Sequence, residues 1–306
     1  MSYGISIALS ELIALQRFVG KSASQSKGGG TQSGNYFSKF RGRGMDIAEV
    51  RNYQAGDDIR HMEWRVTART GRPHIKIYQE ERERPVVILN DFNPSMYFGT
   101  RQAFKSVLAA KLAALVAWTA IRRGDRVGGL IAGLDKDDAF PPHGRDKTIL
   151  PWLAKLSEYT LYAEDKRVGF SAGRPFSDML LRLRRVVRPG SIVVLLSDFY
   201  QLDDETEKHL QFIAQHNEVI AYHICDPLEL SLPKVDKYPF SNGQEIRLVN
   251  AHSASVRQAY VEGMTEKNLL LRQLLLRTKV QYVLCSVEQD LPQLVKQTFS
   301  GGRRGR

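Results

Sequence analysis

The chain has 306 residues, of which 42% are hydrophobic and 25% are charged. This composition is that of an ordinary globular protein, so it excludes a disordered, collagen-like or disulfide-stapled chain, and the length allows about two domains. The net charge of +11 permits contact with nucleic acid, an acidic protein or anionic lipid, but does not choose among them.

The N-terminus and the cysteines indicate a cytosolic protein. The opening residues MSYGISIALSEL lack the basic and apolar regions of a signal peptide. The longest apolar stretch, Val107–Ile121, is interrupted by Lys111 and is too short to cross a bilayer, so we expect no membrane span. Cys225 and Cys285 each lie in an apolar run, which is typical of small core residues in a reducing compartment.

Three segments follow one another along the chain. Residues 1–35 combine a predicted helix over Ile5–Val19 with a flexible Gly/Ser-rich linker over residues 21–34. Residues 36–84 are predicted to form a small, charged, β-rich module that includes the alternating strand HIKIYQ.

Residues 85–306 are predicted to form an α/β domain, because short runs rich in Val and Ile alternate there with helical periodicity. The predicted fold class is a doubly wound, mostly parallel sheet covered by helices. The predicted strands are PVVILN, DRVGGLIA, SIVVLLS, EVIAYHI and VQYVLC, and the predicted helices include Arg101–Arg123 and Phe176–Val187.

Two of the predicted strands end in an acid, at Asp91 and at Asp198. In open sheets of this kind, ligands bind beyond the carboxyl ends of the strands, near the point where strand order reverses. Asp91, Asn93 and Ser95 alternate in the turn that leaves the first strand, and such oxygen ligands suit Mg²⁺ or Mn²⁺. The same residue types also form turns and cap helices, so these residues alone leave both interpretations open.

The motifs also resemble known families. The DxNxS turn, the SDF that follows a later strand and the α/β order between them resemble a von Willebrand factor A-type (vWA) domain with its metal-ion-dependent adhesion site (MIDAS). Upstream, RGRGMDIAEVRNYQAGDDIRHMEWRVTAR is similar to a widespread bacterial family of unknown function, usually encoded beside MoxR-type AAA+ ATPases. CDPLELSLP also resembles that family, so the resemblance covers most of the chain from about residue 36.

The resemblance implies a MIDAS-like site with departures from the usual pattern. Its implied metal ligands are Asp91, Asn93, Ser95 and Asp198. Asn93 stands where a serine is usual, and Arg174 stands where the family has a threonine, with Ser177 as the nearest hydroxyl. Two versions follow: a weak Mg²⁺ or Mn²⁺ site from which Arg174 points away, or a metal-free site in which Arg174 pairs with Asp91 and Asp198.

The upstream motif is a second candidate binding region. Its Gly-Asp-Asp turn is expected to start a short helix that is capped by Asp57 or Asp58 and carries Arg60 and Trp64. Arg51 and Arg60 can pair with these acids or stack on aromatic rings. The motif is therefore either a charged module that packs locally or a docking surface.

Two alternative functions remain open. The Asp91 turn resembles the nucleophile loop of haloacid dehalogenase-like phosphatases, so a metal-dependent phosphohydrolase is possible, although Asn93 replaces the general acid of that chemistry. Nucleic-acid binding is suggested by arginines at the end of a predicted helix and by the terminal GGRRGR, but no aromatic residues are interleaved with them. The arginines are Arg182, Arg184, Arg185 and Arg188.

The expected function is therefore that of a non-catalytic protein-interaction adaptor. The family resemblance implies work with a MoxR-type AAA+ ATPase in the assembly or remodelling of protein complexes. The site at the strand ends is expected to bind an acidic residue of the partner, through a metal or through an arginine.

Overall fold

The computed structural model describes residues 4–19, 45–54, 56–80, 84–134, 136–144, 146–165, 173–230, 237–241, 246–250 and 252–300. These residues belong to two compact units, one formed by residues 1–22 together with 84–306 and the other by residues 23–83. The predicted Gly/Ser linker over residues 21–34 lies outside the described residues.

The smaller unit contains a two-stranded antiparallel sheet formed by β1 (Met45–Asn52) and β2 (His74–Glu80). The strand predicted from HIKIYQ is thus confirmed. Between the strands lie a 3-10 turn, Ile59–His61, and the helix α2 (Trp64–Thr70). This helix ends at Gly71, whose φ of +69° is a left-handed conformation that glycine adopts without steric cost.

The larger unit is built on a six-stranded sheet in the order β10-β7-β6-β3-β4-β5. Neighbouring strands are parallel except at the edge, where β5 runs antiparallel to β4. The strands are β3 (Pro85–Phe92), β4 (Arg126–Gly133), β5 (Asp137–His143), β6 (Ile192–Ser197), β7 (Glu218–Cys225) and β10 (Gln281–Ser286). The five predicted strands of this domain are all present, and the predicted fold class is confirmed.

Helices cover both faces of this sheet. The helices of the larger unit are α1 (Leu9–Ala14), α3 (Lys105–Arg122), α4 (Asp146–Asp165), α5 (Phe176–Leu183), α6 (Thr206–His216), α7 (Pro227–Leu230), α8 (Ala254–Arg277) and α9 (Leu291–Ser300). Two further strands, β8 (Lys237–Ser241) and β9 (Ile246–Asn250), form a separate antiparallel pair.

The core has two layers because successive residues of β3 point to opposite faces. Val86 and Ile88 pack with α3, α4 and α9 on one face, whereas Val87 and Leu89 pack with α5, α6 and α8 on the other. All four of these side chains are fully buried, which explains why the strand reads as a continuous apolar run.

The N-terminal helix α1 packs against this larger unit. Leu12 is fully buried in the core layer that contains α3, and its carbonyl accepts a hydrogen bond of 3.1 Å from the Trp118 indole. Nearby, the backbone N–H of Ile7 donates to the Thr160 hydroxyl at 3.1 Å. Residues 4–19 are therefore a structural part of the α/β unit.

The chain completes one half of the sheet before it builds the other, and the two halves meet where β3 lies beside β6. From β3 it builds β4 and β5 on one side, and then returns to build β6, β7 and β10 on the other. Since β3, β6 and β7 are parallel, their carboxyl ends lie at the same end of the sheet, and the strand order reverses there between β3 and β6.

Among the described residues, no helix has the length and apolarity needed to span a membrane.

Candidate functional site

Asp91 and Asp198 lie at the point where strand order reverses, as the sequence predicts. Asp91 is near the end of β3, and Asp198 directly follows β6. The hydroxyl of Ser197, the last residue of β6, donates to Asp91 Oδ2 at 2.6 Å. The backbone N–H of Asn93 donates to Asp91 Oδ1 at 2.8 Å, so both carboxyl oxygens of Asp91 accept protein hydrogen bonds.

The two acids share one buried environment. Asp91 and Asp198 are 2% and 7% exposed. Burial raises the pKa of Asp91 well above its usual range, and the negative charge of Asp198 raises it further, against the opposing effect of its hydrogen bonds. Asp91 is therefore the carboxyl of the pair that holds a proton more readily.

Lys105 places a positive charge in this site. It is the first residue of α3, it is 1% exposed, and its ammonium lies 2.8 Å from Asp198 Oδ2 and 2.5 Å from Glu229 Oε1. Burial alone raises the pKa of Asp198, but the charge and the hydrogen bond of Lys105 outweigh it and lower that pKa. In turn, burial alone lowers the pKa of Lys105, but the two carboxylates raise it above its usual value. The lysine is thus fixed as an ammonium ion.

Sequence reasoning missed Lys105, although one signal for it exists. Lys105, Leu108, Ala109 and Leu112 fall at the spacing of a single helix face, and the last three are buried core residues. A lysine on the apolar face of a buried helix requires a partner. Here two carboxylates supply it.

A third acidic loop, which follows β7, completes the site. The Glu229 carboxylate accepts from Lys105 and from the backbone N–H of Asp226, the latter at 2.9 Å. Burial raises the pKa of Glu229, and Lys105 opposes this effect. Asp226 accepts the backbone N–H and the hydroxyl of Thr100, at 2.9 and 2.5 Å, so it ties this loop to the one that follows β3.

Asn93 joins the first loop to the loop before α5. Its side-chain amide donates to the carbonyl of Arg174 and accepts from the backbone N–H of the same residue, each at 3.0 Å. Asn93 is fully buried, and this reciprocal pair uses its amide group as a clamp between two loops. Serine, the usual residue in the resembling family, is shorter and carries one oxygen, so it lacks the separate donor and acceptor atoms with which the amide makes these two bonds.

Arg174 points away from the two central acids. Its guanidinium lies 2.6 Å from Asp137 Oδ1 and also donates to the carbonyl of Gly133, at 3.0 Å. Asp137, in the edge strand β5, also binds Arg182. Of the two versions of the site, the pairing of Arg174 with Asp91 and Asp198 is therefore wrong, because Arg174 binds a carboxylate of the edge strand instead, and it points away from the central acids as the other version expects.

The two serines of the prediction lie in different surroundings. Ser177 is buried and donates to Asp203, so it supports the loop before α6. The hydroxyl oxygen of Ser95 is buried and makes no hydrogen bond of good geometry to the residues that the structure describes. It nevertheless lies close enough to Asp198 to contribute to the lowered pKa of that carboxyl.

The loop after β6 is held in a strained conformation. Phe199 has a φ of +52°, which is uncommon for a residue with a side chain. Its backbone N–H donates to the Ser197 hydroxyl at 2.8 Å, and the next N–H, that of Tyr200, donates to Asp198 Oδ1 at 3.1 Å. These bonds fix the backbone turn around Asp198.

The donor set at this site does not fit a divalent cation. Lys105 already binds Asp198, so a divalent ion on the same carboxylate would lie about 5 Å from the ammonium and be repelled by roughly 7 kcal/mol at an effective dielectric constant of 20. The amide of Asn93 is engaged by Arg174. Within the described ranges, no group of three or more His, Cys, Asp or Glu side chains is arranged to hold a metal ion.

The upstream motif lies in the smaller unit. Arg51 and Asp57 form an ion pair of 2.8 Å, and Asp58 caps the 3-10 turn by accepting the backbone N–H of Arg60 at 3.0 Å. The pairing and the cap expected from the sequence are both present, but the expectation that one helix carries both Arg60 and Trp64 is wrong, because the 3-10 turn ends at His61 and Glu63 caps a separate helix. Trp64 begins α2 and is 66% exposed.

Two arginines of the basic helix end and both cysteines have local structural roles. Arg184 stacks on Phe212, with its guanidinium carbon 3.6 Å from the ring centroid, and Arg182 binds Asp137. The terminal GGRRGR lies outside the described residues. Cys225 and Cys285 are buried, and burial raises the pKa of each thiol to about 12, so both behave as core residues.

The sheet order, with a polar site at its point of reversal, is that of a doubly wound α/β protein. Residues 49–269 match the family described as "Protein of unknown function DUF58". The chain belongs to this family.

Relatives and solved structures with similarity to this chain were also found. The uncharacterized proteins Rv1480 of Mycobacterium tuberculosis and Mb1516 of Mycobacterium bovis are each 30% identical over 237 residues, covering 76% of this chain and 69% of theirs. BatB of Bacteroides thetaiotaomicron is 14% identical with a TM-score of 0.43, covering 71% of this chain and 98% of BatB. The vWA domain of SpRpn10 is 14% identical with a TM-score of 0.35, covering 71% of this chain and 95% of that domain.

Proposed function

We propose that this protein is a non-catalytic adaptor that binds another protein at the carboxyl ends of its parallel strands. We call this end of the sheet the carboxyl edge, or simply the edge, as distinct from the edge strand β5. One observation carries the proposal: all four carboxyl oxygens of Asp91 and Asp198 accept hydrogen bonds from the chain itself. The donors are Asn93 N–H, Ser197 Oγ, Tyr200 N–H and Lys105 Nζ. The acids therefore serve to hold loops in place.

The loops at this edge are linked to one another. Asn93 binds the loop before α5, Thr100 binds the loop after β7, and Lys105 connects the loops after β6 and β7. A surface whose loops are fixed before binding loses less conformational entropy when a partner docks. This arrangement suits recognition of a protein.

The exposed residues of the edge suit an acidic partner. Tyr200 is 54% exposed, and the ammonium of Lys267 lies 4.3 Å from its ring centroid. Arg101, in the loop after β3, has a side chain that is 63% exposed and lies 2.9 Å from Glu288 in an exposed ion pair, which a partner carboxylate would replace. Tyrosine and arginine are enriched among residues that dominate binding energy. We name Tyr200, Lys267 and Arg101 the edge residues and propose that they bind a carboxylate of the partner. From the sequence alone, this binding is expected from a metal ion or from Arg174.

The proposed partner is a MoxR-type AAA+ ATPase, with which the adaptor would act in the cytoplasm to assemble or remodel protein complexes. The similarity of the DxNxS turn, the upstream arginine and acid motif and CDPLELSLP to the family encoded beside such ATPases supports this choice. The net charge of +11 favours a partner with an acidic surface.

A binding assay with matched variants tests the proposal. The MoxR-type ATPase of the same organism is captured on the wild-type protein, on Tyr200→Ala and on Phe212→Ala. Phe212 is a suitable control because it is 51% exposed and stacks with a cation, as Tyr200 does, but lies on α6. We expect Tyr200→Ala alone to reduce recovery of the ATPase. Equal recovery on all three proteins would show that this edge does not bind it.

A further inference from the structure

We propose that the ammonium group of Lys105 is the resident cation of this site and takes the place that a divalent metal ion would occupy between the acidic loops. This inference concerns the chain alone and does not depend on the proposed partner. It replaces the expected Mg²⁺ or Mn²⁺ with a cation that the chain supplies itself.

The position of Lys105 supports the inference first. The chain leaves β3 through the DxNxS turn, passes through residues 97–104 and returns to the site at the first residue of α3. Its side chain is 1% exposed, so its charge is separated from solvent. A buried charge of this kind is stable only when opposite charges and hydrogen bonds surround it.

The ligands of the ammonium come from separate parts of the chain, as the ligands of a metal ion commonly do. Asp198 follows β6 and Glu229 follows β7, and both carboxylates lie within 2.8 Å of the same nitrogen. The ring centroid of Phe98 lies 5.8 Å from that nitrogen, which is within range of a cation–π contact. One cation thus joins three loops of the edge.

Two of the remaining candidate ligands, Asp91 and Asn93, are engaged in ways that leave the central charge to Lys105. Both oxygens of Asp91 accept hydrogen bonds from the protein, and the amide of Asn93 is paired with Arg174. The position expected for a threonine ligand holds Arg174, whose guanidinium binds Asp137. These features and the lysine point to the same metal-free arrangement.

Titration with Mn²⁺ tests the inference directly. Heat of binding and the melting temperature, Tm, are measured for the wild type, Asp198→Asn, Lys105→Ala, the double variant Lys105→Ala with Asp198→Asn, and Lys111→Ala. Lys111 is the control because it lies in the same helix but is only partly buried. We expect no site-specific heat from the wild type or Lys111→Ala. Lys105→Ala should bind Mn²⁺ and melt at a higher temperature in its presence. The double variant should show neither the heat of binding nor the increase in Tm.

Two results would overturn the inference. One is binding of Mn²⁺ by the wild type that Asp198→Asn abolishes, since the lysine would then share its site with a metal. The other is a folded Lys105→Ala variant that binds no Mn²⁺. Lys105→Ala could also prove to be unfolded without metal. In that case, the inference is supported if Mn²⁺ refolds Lys105→Ala but not the double variant. It is contradicted if Mn²⁺ does not refold Lys105→Ala.

Discussion

The ammonium of Lys105 lies 2.8 Å from the carboxylate of Asp198, although 93 residues separate them along the chain. This contact joins the start of α3 to the end of β6, at the point where the two halves of the sheet meet. The acidic site therefore carries its own positive charge, and several measurable consequences follow from that charge and from the loops around it.

Removing the charge of Lys105 should destabilise the fold strongly. Lys105→Met keeps most of the side-chain volume but leaves Asp198 and Glu229 without their buried partner, so we expect the free energy of unfolding in urea to fall by about 3 to 5 kcal/mol. Adding Asp198→Asn to Lys105→Met should recover part of the loss, because one unpaired charge is removed. A loss below about 1 kcal/mol would mean that the pair behaves as an exposed one.

Asn93→Ser should separate two loops without creating a metal site. Serine is shorter than asparagine and carries a single oxygen, so we expect at least one of the two buried hydrogen bonds to Arg174 to be lost, at about 1 to 3 kcal/mol. Urea unfolding measures the loss, and hydrogen exchange at the Arg174 amide should become faster. Unchanged exchange at that amide would contradict the role of Asn93 as a clamp.

Asp91 should make stability depend on pH in an unusual direction. Because burial and Asp198 raise its pKa in the folded protein, the native state keeps a proton that the unfolded state loses above about pH 4. This contribution is complete at lower pH and disappears as pH rises through the raised pKa.

Asp91→Asn mimics the protonated form, so its free energy of unfolding relative to the wild type should increase between pH 5 and pH 8. The increase should exceed about 1.4 kcal/mol, which corresponds to a shift of one pKa unit. Ser197→Ala, which removes a hydrogen bond to Asp91 without removing the titrating group, is the control. A difference between Asp91→Asn and wild type that is constant with pH would show that Asp91 is ionised throughout.

The N-terminal helix should contribute to the stability of the α/β unit. Leu12 is fully buried, whereas Ile5 is 38% exposed. Leu12→Ala is therefore expected to cost about 2 to 5 kcal/mol, and Ile5→Ala much less, in the same urea titration. Equal effects of the two variants would show that the helix does not pack as described.

Much of this architecture is predictable from the sequence because the strands of a parallel sheet are buried on both faces. Their runs of Val and Ile, such as PVVILN and SIVVLLS, stand out from the surrounding helices. The acids at Asp91 and Asp198 follow these runs directly, so their place at the sheet edge could be predicted as well. The edge strand β5 was not predicted, because its sequence DDAFPPH contains two prolines, which an edge strand tolerates but which argue against a strand.

The charges of the site were harder to predict because they depend on distant partners. Glu229 lies 124 residues from Lys105, and the sequence around Lys105 does not indicate which carboxylate pairs with it. By charge alone, Arg174 could pair with Asp91 or with Asp198. In the fold it pairs instead with Asp137, on the edge strand β5. Sequence motifs identified the loops of the site, and the pairing between loops required the fold.

A hydrogen–deuterium exchange footprint of the assembled MoxR-type ATPase on this protein tests the central claim most directly. We predict that the ATPase slows exchange in residues 97–104 and 199–203, around the edge residues Arg101 and Tyr200, and that Tyr200→Ala weakens this protection. Protection confined to other parts of the chain, or none at saturating ATPase, would contradict the assignment of the sheet edge as the binding surface.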